Sequence, residues 1–510
     1  MKLGRDLAQA RQHAYDLIVV GGGVYGVMLA LEAARRDLSV LLLEKEDFGG
    51  ATSFNSLRIV HGGLRDLQTL DLWRYWAFGR ERQWFLQQFP ERVEPLPVLV
   101  PLYQRGLMRT ETFRVALGLD RVLLPARYRK VRGERVIPPG RLLSPKEVGR
   151  RFPAVRADGL SGGGLWYDAA VPNSQRLLID ALRRASALGA TALNYMPAVG
   201  VLEEAGRIKG VRARDDVAQE QYEFASKIVV NAAGPWIETL ARDLDVEPFD
   251  RAQYVLAWNI LFDRESPSDC AVGVRPPVAG APFHFLHPWK GRLLAGTEHA
   301  PREGIGERLA PTPAEIHRHL ELLNAAVPDL AVTTEDIIHV YAGYLPVGEH
   351  ANQLIKKDRI VHHADRGGLQ GLYSVRSTKF TASHRTASRV MSKLFPGRRV
   401  RPIGPNAFEQ NQVEESPSRG VWPYTWFPED EDGAWMDALG RIVEEEAVQH
   451  LDDLILRRTS LGDNPTRALR VASHLCSLFD WNEERCRKEV ERVADHFQWL
   501  QGPITENLGS

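Results

Sequence analysis

The sequence predicts an α/β fold: a doubly wound parallel-sheet domain, an antiparallel-sheet α+β domain inserted into it, and a helical C-terminal domain. Three observations carry this. A short β-branched run, Asp16-Leu17-Ile18-Val19-Val20, passes through Gly21-Gly22-Gly23-Val24-Tyr25-Gly26 into an Ala/Leu-rich stretch with helical spacing. A second apolar run, Ser39-Val40-Leu41-Leu42-Leu43, ends in Glu44 and completes a βαβ unit, which requires parallel strands under helices. The βαβ beat then lapses over 72–150, resumes, lapses again over 251–345 and resumes once more.

The elements follow in order. Leu177 to Leu188 has the spacing of an amphipathic helix, Thr191 to Tyr195 and Gly200 to Glu203 read as strands, and Lys227 to Asn231 reads as a buried strand running into Ala232-Ala233-Gly234. Residues 1–71, 151–250 and 346–395 are therefore assigned to the discontinuous dinucleotide domain. The inserted domain takes 72–150, rich in Arg, Trp and Pro, and 251–345, short strands with a helix from Pro313 to Ala326. Pro396, Pro402, Pro405, Pro417 and Pro423 mark 396–433 as a linker. Val443, Ala447, Leu451, Leu454 and Ile455 then recur at helical spacing, which places a helical domain at 434–510.

Composition excludes several classes. The 65 Lys and Arg residues balance 65 Asp and Glu, so the chain of 510 residues has no long-range field to gather nucleic acid. No uninterrupted apolar run reaches the roughly 18 residues of a spanning helix. The N-terminus, MKLGRDLAQARQHAYD, has no apolar segment of a secretory signal, and a cytoplasmic location is expected. Cys270, Cys476 and Cys486 fit no metal spacing and are expected as reduced, structural thiols. No metal site is expected.

The chemistry lies in the opening turn. Gly21, Gly23 and Gly26 fit G-x-G-x-x-G, where side chains would block the turn, the approach of a pyrophosphate and the packing of helix on strand. The helix N-terminus offers free N–H groups to phosphate, with Val24 and Tyr25 there. Glu44, with Lys45 beside it, stands where an acidic group accepts hydrogen bonds from an adenosine ribose. Such a Rossmann-like unit holds NAD or FAD. The small, hydroxyl-bearing loop that follows, with Thr52, Ser53 and Ser56, suits the second phosphate and polyol of a flavin dinucleotide.

With these residues in place, the chain resembles the FAD-dependent glycerol-3-phosphate dehydrogenases of the D-amino-acid-oxidase-like flavoproteins. The resemblance rests on Gly21 to Gly26, Glu44-Lys45, Ala51-Thr52-Ser53, His61-Gly62-Gly63-Leu64-Arg65, Asn231-Ala232-Ala233-Gly234-Pro235-Trp236, Pro288-Trp289 with Gly296-Thr297, and Ser374-Val375 followed by Lys379. It implies a non-covalent FAD held by those glycines, by Glu44, Lys45, Thr52, Ser53, Ser56, His61, Gly62, Gly63 and Val199, by Ala233, Gly234 and Trp236, and by Ser377, Thr378, Lys379 and Phe380. It also implies oxidation of a small glycerophosphate at its secondary alcohol, electrons leaving to a quinone or to oxygen, with Arg65, Lys379, His61 and His287 as catalytic candidates. A peripheral membrane contact and a homodimer stay open.

The departures concern the substrate. Where the family has Gly-x-Arg-Pro, this chain reads Ala342-Gly343-Tyr344-Leu345-Pro346, with Tyr344 taken as the arginine position. Val255-Leu256-Ala257-Trp258-Asn259 lacks the lysine and histidine of the matching family segment, and Ser377-Thr378 replaces a glycine pair. Tyr344, Trp258 and Tyr254 are expected to form a larger, aromatic pocket wall, compatible with another alcohol, a hydroxy acid or an amine. A flavin-binding protein without catalysis is the remaining alternative.

Overall fold

A computed structural model describes residues 2–64, 71–103, 109–123, 137–243, 253–278, 280–306, 309–347, 354–355, 358–402 and 434–505. Leu17–Val20 (β1) and Val40–Leu43 (β2) are buried throughout, as central strands of a covered parallel sheet must be. They lie in a six-stranded sheet, in the order 359–362, 372–376, 229–231, β1, β2, 191–193. All neighbours run parallel except the outermost, Arg359–His362, which is antiparallel to Leu372–Arg376. The helix Val24–Ala34 packs between the helices Ser174–Ala187 and Ser383–Leu394 on one face. On the other, Ile208, Val211, Ala213 and Phe224 of a three-stranded antiparallel sheet cover Ile18, Val20, Leu41 and Leu43.

The second sheet is larger. Gly162–Ala170 (β3), Tyr254–Phe262 (β4), His284–Trp289 (β5), Arg292–Arg302 (β6) and Ile337–Pro346 (β7) lie in it in the order β7, β4, β6, β5, 271–274, 94–102, β3, 59–60, and one parallel pair, 271–274 with 94–102, interrupts its antiparallel run. The helix Pro313–Ala326, opened by a Thr312/Glu315 capping box, covers its back. One assignment from the sequence needs correction. β3 and Ile59–Val60 belong to this sheet, although the sequence placed them in the dinucleotide segments. Gly162, Gly163 and Gly164 open β3, where a Cβ on Gly164 would overlap the Phe113 ring.

At the C-terminal end, helices span Ala434–Glu445, Pro465–Leu475 and Glu483–Thr505, with a π-helical turn at Asp453–Arg458. Residues 403–433 of the expected linker lie outside the described residues. Cys476 and Cys486 form a disulfide, which corrects the expectation of free thiols; the turn between the last two helices brings their Cα atoms to 5.8 Å, within bonding range. Cys270 is free and buried.

Two core histidines tie this packing to pH. Burial, helped by the charge of Arg58, pushes His287 down to about 3. Burial, with neighbouring His284, does the same to His319, whose Nδ1 accepts from Trp258 Nε1 at 3.1 Å. The unfolded chain, with imidazoles near 6.5, binds more protons than the folded one below that pH, so stability is full above it and declines as pH falls toward 3. At about pH 5.5 each histidine should cost about 1 kcal/mol. Thermal melting across this range should show the fall, and His319→Gln, which keeps an acceptor for Trp258, should make it shallower while His287 sustains the rest.

Candidate cofactor and substrate site

The glycine turn is shaped by exclusion. Gly21 has φ of 108° and an added Cβ would stand 2.7 Å from Ala232 O, while a Cβ on Gly26 would overlap the Gly21 carbonyl. Helix and strand can touch there only through glycine. Around the turn, Gly22 N donates to Glu44 Oε2 at 2.5 Å and Glu46 N to Oε1 at 3.0 Å. Burial pushes the Glu44 carboxyl up, against the pull of these two N–H groups. Ser53 Oγ accepts from Val24 N at 2.9 Å at the helix start, and only that hydroxyl comes near a Cβ placed on Gly23. A helix N-terminus with open space over Gly23, bounded by a hydroxyl and by a carboxylate across the turn, fits a dinucleotide phosphate with its ribose.

Other expected cofactor residues are spread over several elements. Lys45 Nζ lies 4.4 Å from the Trp236 ring, and Asn231 Oδ1 accepts from Ala233 N ahead of Gly234, whose φ is 58°. Tyr25 Oη bonds Ser377 Oγ at 2.5 Å and donates to Lys379 O at 2.6 Å, drawing 377–380 onto the helix Val24–Ala34. Thr378 Oγ1 donates to Ile355 O, and the Phe380 ring packs against Phe85. Thr52 Oγ1 donates to Tyr344 O at 3.0 Å, and Ser56 Oγ accepts from Arg58 N. Val199 stands on the strand Ala198–Glu204 of the three-stranded sheet. Arg65 lies outside the described residues.

His61 is where the two sheets meet. Its N–H donates to Thr381 Oγ1 at 3.0 Å, and its Nδ1 lies 3.0 Å from Asp168 Oδ2 of β3. Gly62 N donates to Asp168 Oδ1 at 2.8 Å, with Gly63 following at φ of 81°. The His61 side chain keeps 43% exposure while Asp168 keeps 5%, so one edge of the imidazole is anchored and the rest is open. Burial works to raise the Asp168 carboxyl, but the hydrogen bonds and charge of His61, with Arg82 and Gly62 N, hold it below the usual range. Asp168 and Arg82 escaped the sequence reading because their role depends on β3 lying beside 59–60.

The expected pocket wall is corrected by strand alternation. Tyr254, Trp258 and Tyr344 face the back of the sheet, buried with Ile316, Leu320 and Leu323 of the covering helix. Tyr344 Oη accepts from Gly306 N, and Trp258 bonds His319. The front face carries their alternates: Asn259, whose Nδ2 donates to Asn55 O, Leu261, Tyr341 and Gly343, where a Cβ would meet Thr52 at 3.0 Å. Counting from Gly343 and Pro346, the arginine position of Gly-x-Arg-Pro is Leu345, on this front face opposite Val255. His287 also points forward, buried beside Arg58, and neither ring nitrogen finds a partner. Arg58, another residue the motif reading passed over, donates to Ser174 Oγ and Gln175 Oε1 and lies about 5 Å from the rings of Phe54, Trp289 and Tyr341.

Among the described residues one metal-like group occurs, His450, Asp452 and Glu489, but Arg457 and Arg492 already pair Asp452, and Arg485 pairs Glu489.

Residues 16–387 match the family model described as FAD dependent oxidoreductase. The chain belongs to this family. A glycerol-3-phosphate dehydrogenase of Synechocystis sp. is 28% identical over 464 residues, covering 88% of this chain and 80% of that protein. The aerobic glycerol-3-phosphate dehydrogenase of Staphylococcus aureus is 27% identical over 387 residues, covering 75% and 67%. The solved glycerol-3-phosphate dehydrogenase from Bacillus halodurans, complexed with FAD, shares the fold with a TM-score of 0.73 over 98% of both chains at 21% identity. The chain is thus an FAD-dependent oxidoreductase resembling glycerol-3-phosphate dehydrogenase. For such an enzyme the glycine turn is exposed to a direct test. Gly26→Ala should separate helix from strand and weaken FAD at least about tenfold, read as flavin retained after gel filtration, with far-UV circular dichroism unchanged.

Proposed function

We propose that this oxidoreductase converts a secondary alcohol to a ketone, with glycerol 3-phosphate or a close phosphorylated polyol as substrate. The observation that carries this reading is the His61–Asp168 pair at the end of the cofactor loop. Removing a hydride from an alcohol carbon requires a base within hydrogen-bond reach of the hydroxyl proton. An ionised Asp168 accepts from Nδ1–H of His61, which leaves Nε2 as the ring atom to receive that proton. FAD, held non-covalently, supplies the two-electron acceptor when bound. Lys379 brings positive charge to the segment joined to both Tyr25 and His61, and Arg65 orients the substrate. The names of the curated relatives support the phosphorylated substrate.

The front face favours a second reading. Val255, Ala257, Gly343 and Leu345 offer no cation there, which suits a non-phosphorylated alcohol, a hydroxy acid or an amine. For the acceptor, a quinone reached at a membrane surface is supported by exposed Leu72, Trp73 and Trp76 on the helix Leu72–Gln88, with Arg80 over the Trp76 ring. Oxygen is the alternative. No described helix is long and apolar enough to cross a membrane.

Anaerobic addition of millimolar glycerol 3-phosphate should bleach the bound flavin. Bleaching by a hydroxy acid or amine alone would establish the second reading instead. His61→Gln should slow bleaching by about 10²–10⁴-fold with FAD still bound, and Asp168→Asn should slow it in the same direction by releasing the tautomer. Sedimentation with anionic vesicles should fall when Trp73 and Trp76 are both changed to Ser, and binding that persists would remove the membrane-surface acceptor.

A further inference from the structure

We propose that the C-terminal helical domain is a cofactor-retention element, and that it acts through Asp47. The residues concerned, Arg457 and Arg458, lie beyond the family match at 16–387. Asp47 is 2% exposed, in the segment between Glu44 and Ser53. Its carboxylate is fully engaged: Arg458 donates from Nη1 and Nη2 as a fork at 2.6 and 2.7 Å, Arg457 from Nε at 2.7 Å, and Asn194 from Nδ2 at 3.0 Å. The same Asn194 Nδ2 also donates to Ala447 O, so the C-terminal domain holds this carboxylate from a second side.

The segment that Asp47 anchors is the wall of the glycine turn. Two residues on, Gly49 N donates to Gly22 O at 3.0 Å; one residue on, the Phe48 ring would stand 2.9 Å from a Cβ on Gly22. Three residues before it, Glu44 accepts from Gly22 N. The guanidinium pair therefore sets where the Glu44 carboxylate stands relative to the helix N-terminus. Arg457 is itself held by Asp452 and Asp453, and Asp453 Oδ1 accepts from Tyr195 Oη, so the clamp is stiff rather than a loose surface pair. A buried fork of this kind is costly to break from one side, because the remaining charge stays in the interior.

The test uses the full chain and the FAD dissociation constant, measured by quenching of flavin fluorescence on titration of apoprotein. Asp47→Asn should raise that constant at least about tenfold. Arg458→Lys keeps the charge and loses the fork, and should fall between parent and Asp47→Asn. Excess FAD should restore the melting temperature of both variants, as mass action on a native-state ligand requires. An unchanged dissociation constant with a lowered melting temperature in either folded variant would overturn the proposal and leave a purely structural contact. Should Asp47→Asn fail to fold, Arg458→Lys alone decides. The readout needs no substrate, so its failure is separate from any failure of the glycerol 3-phosphate reading.

Discussion

Residues 44–63 are shared by both sheets, and that sharing constrains the rest of the molecule. The segment leaves β2 in the parallel sheet and enters the large sheet at Ile59–Val60, paired with β3. Glu44, Asp47, Ser53, Arg58 and His61 all lie along it, so any shift of one sheet against the other would move the groups bounding the dinucleotide turn and the imidazole together. Its path is not relaxed: Arg58 adopts φ of 64°, a conformation that costs an L-residue about 1–2 kcal/mol. The surroundings compensate through Ser174 and Gln175, and Ser174 Oγ also donates to Ser53 O, tying both halves of the segment to one helix.

Charge is buried in paired form at the contact between the C-terminal and dinucleotide domains. Asp47 meets Arg457 and Arg458, and Glu446 meets Arg176 and Arg183, across the contact between the C-terminal and dinucleotide domains. Each carboxylate is worth keeping ionised only because several donors share it; burial alone would push Asp47 up, and the two guanidinium groups hold it below its ordinary value. Such networks add little net stability compared with an apolar contact of equal size, but they tolerate only one geometry. Geometry is what a dinucleotide site requires, since a helix N-terminus and a ribose-binding carboxylate must stay in fixed relation.

How much of this was legible in the sequence depended on range. The βαβ unit, its glycines and the helix Pro313–Ala326 announce themselves within a few residues, through periodicity and turn chemistry. The His-Gly-Gly-Leu-Arg string marked His61 through resemblance. What stayed hidden were partners more than 100 positions away. Asp168 lies 107 positions from His61, and the arginines that engage Asp47 lie some 400 positions downstream. Tyr344 was misplaced for a different reason: a motif counted one residue out of register turns a side chain to the opposite face, because strand alternation has period two. The disulfide was missed because sequence spacing of ten says nothing about whether a helical turn folds back.

That one-residue register also bears on what the enzyme can hold. With Tyr344, Trp258 and Tyr254 packed behind the sheet, aromatic bulk does not line the front; small and aliphatic groups do, at Val255, Ala257, Gly343 and Leu345. An arginine at position 345 would have reached forward on the same face as Tyr341. Leucine there leaves no bidentate anion ligand at the strand's end; of the buried cations described, Arg58 is enclosed by three aromatic rings and bonded to Ser174 and Gln175, and Arg376 donates to Val347 O, two residues past Leu345. A phosphate would therefore have to find its charge away from these front-face positions. Affinity for a phosphate is thus a separate physical question from the proton transfer proposed at His61, because the two depend on different groups.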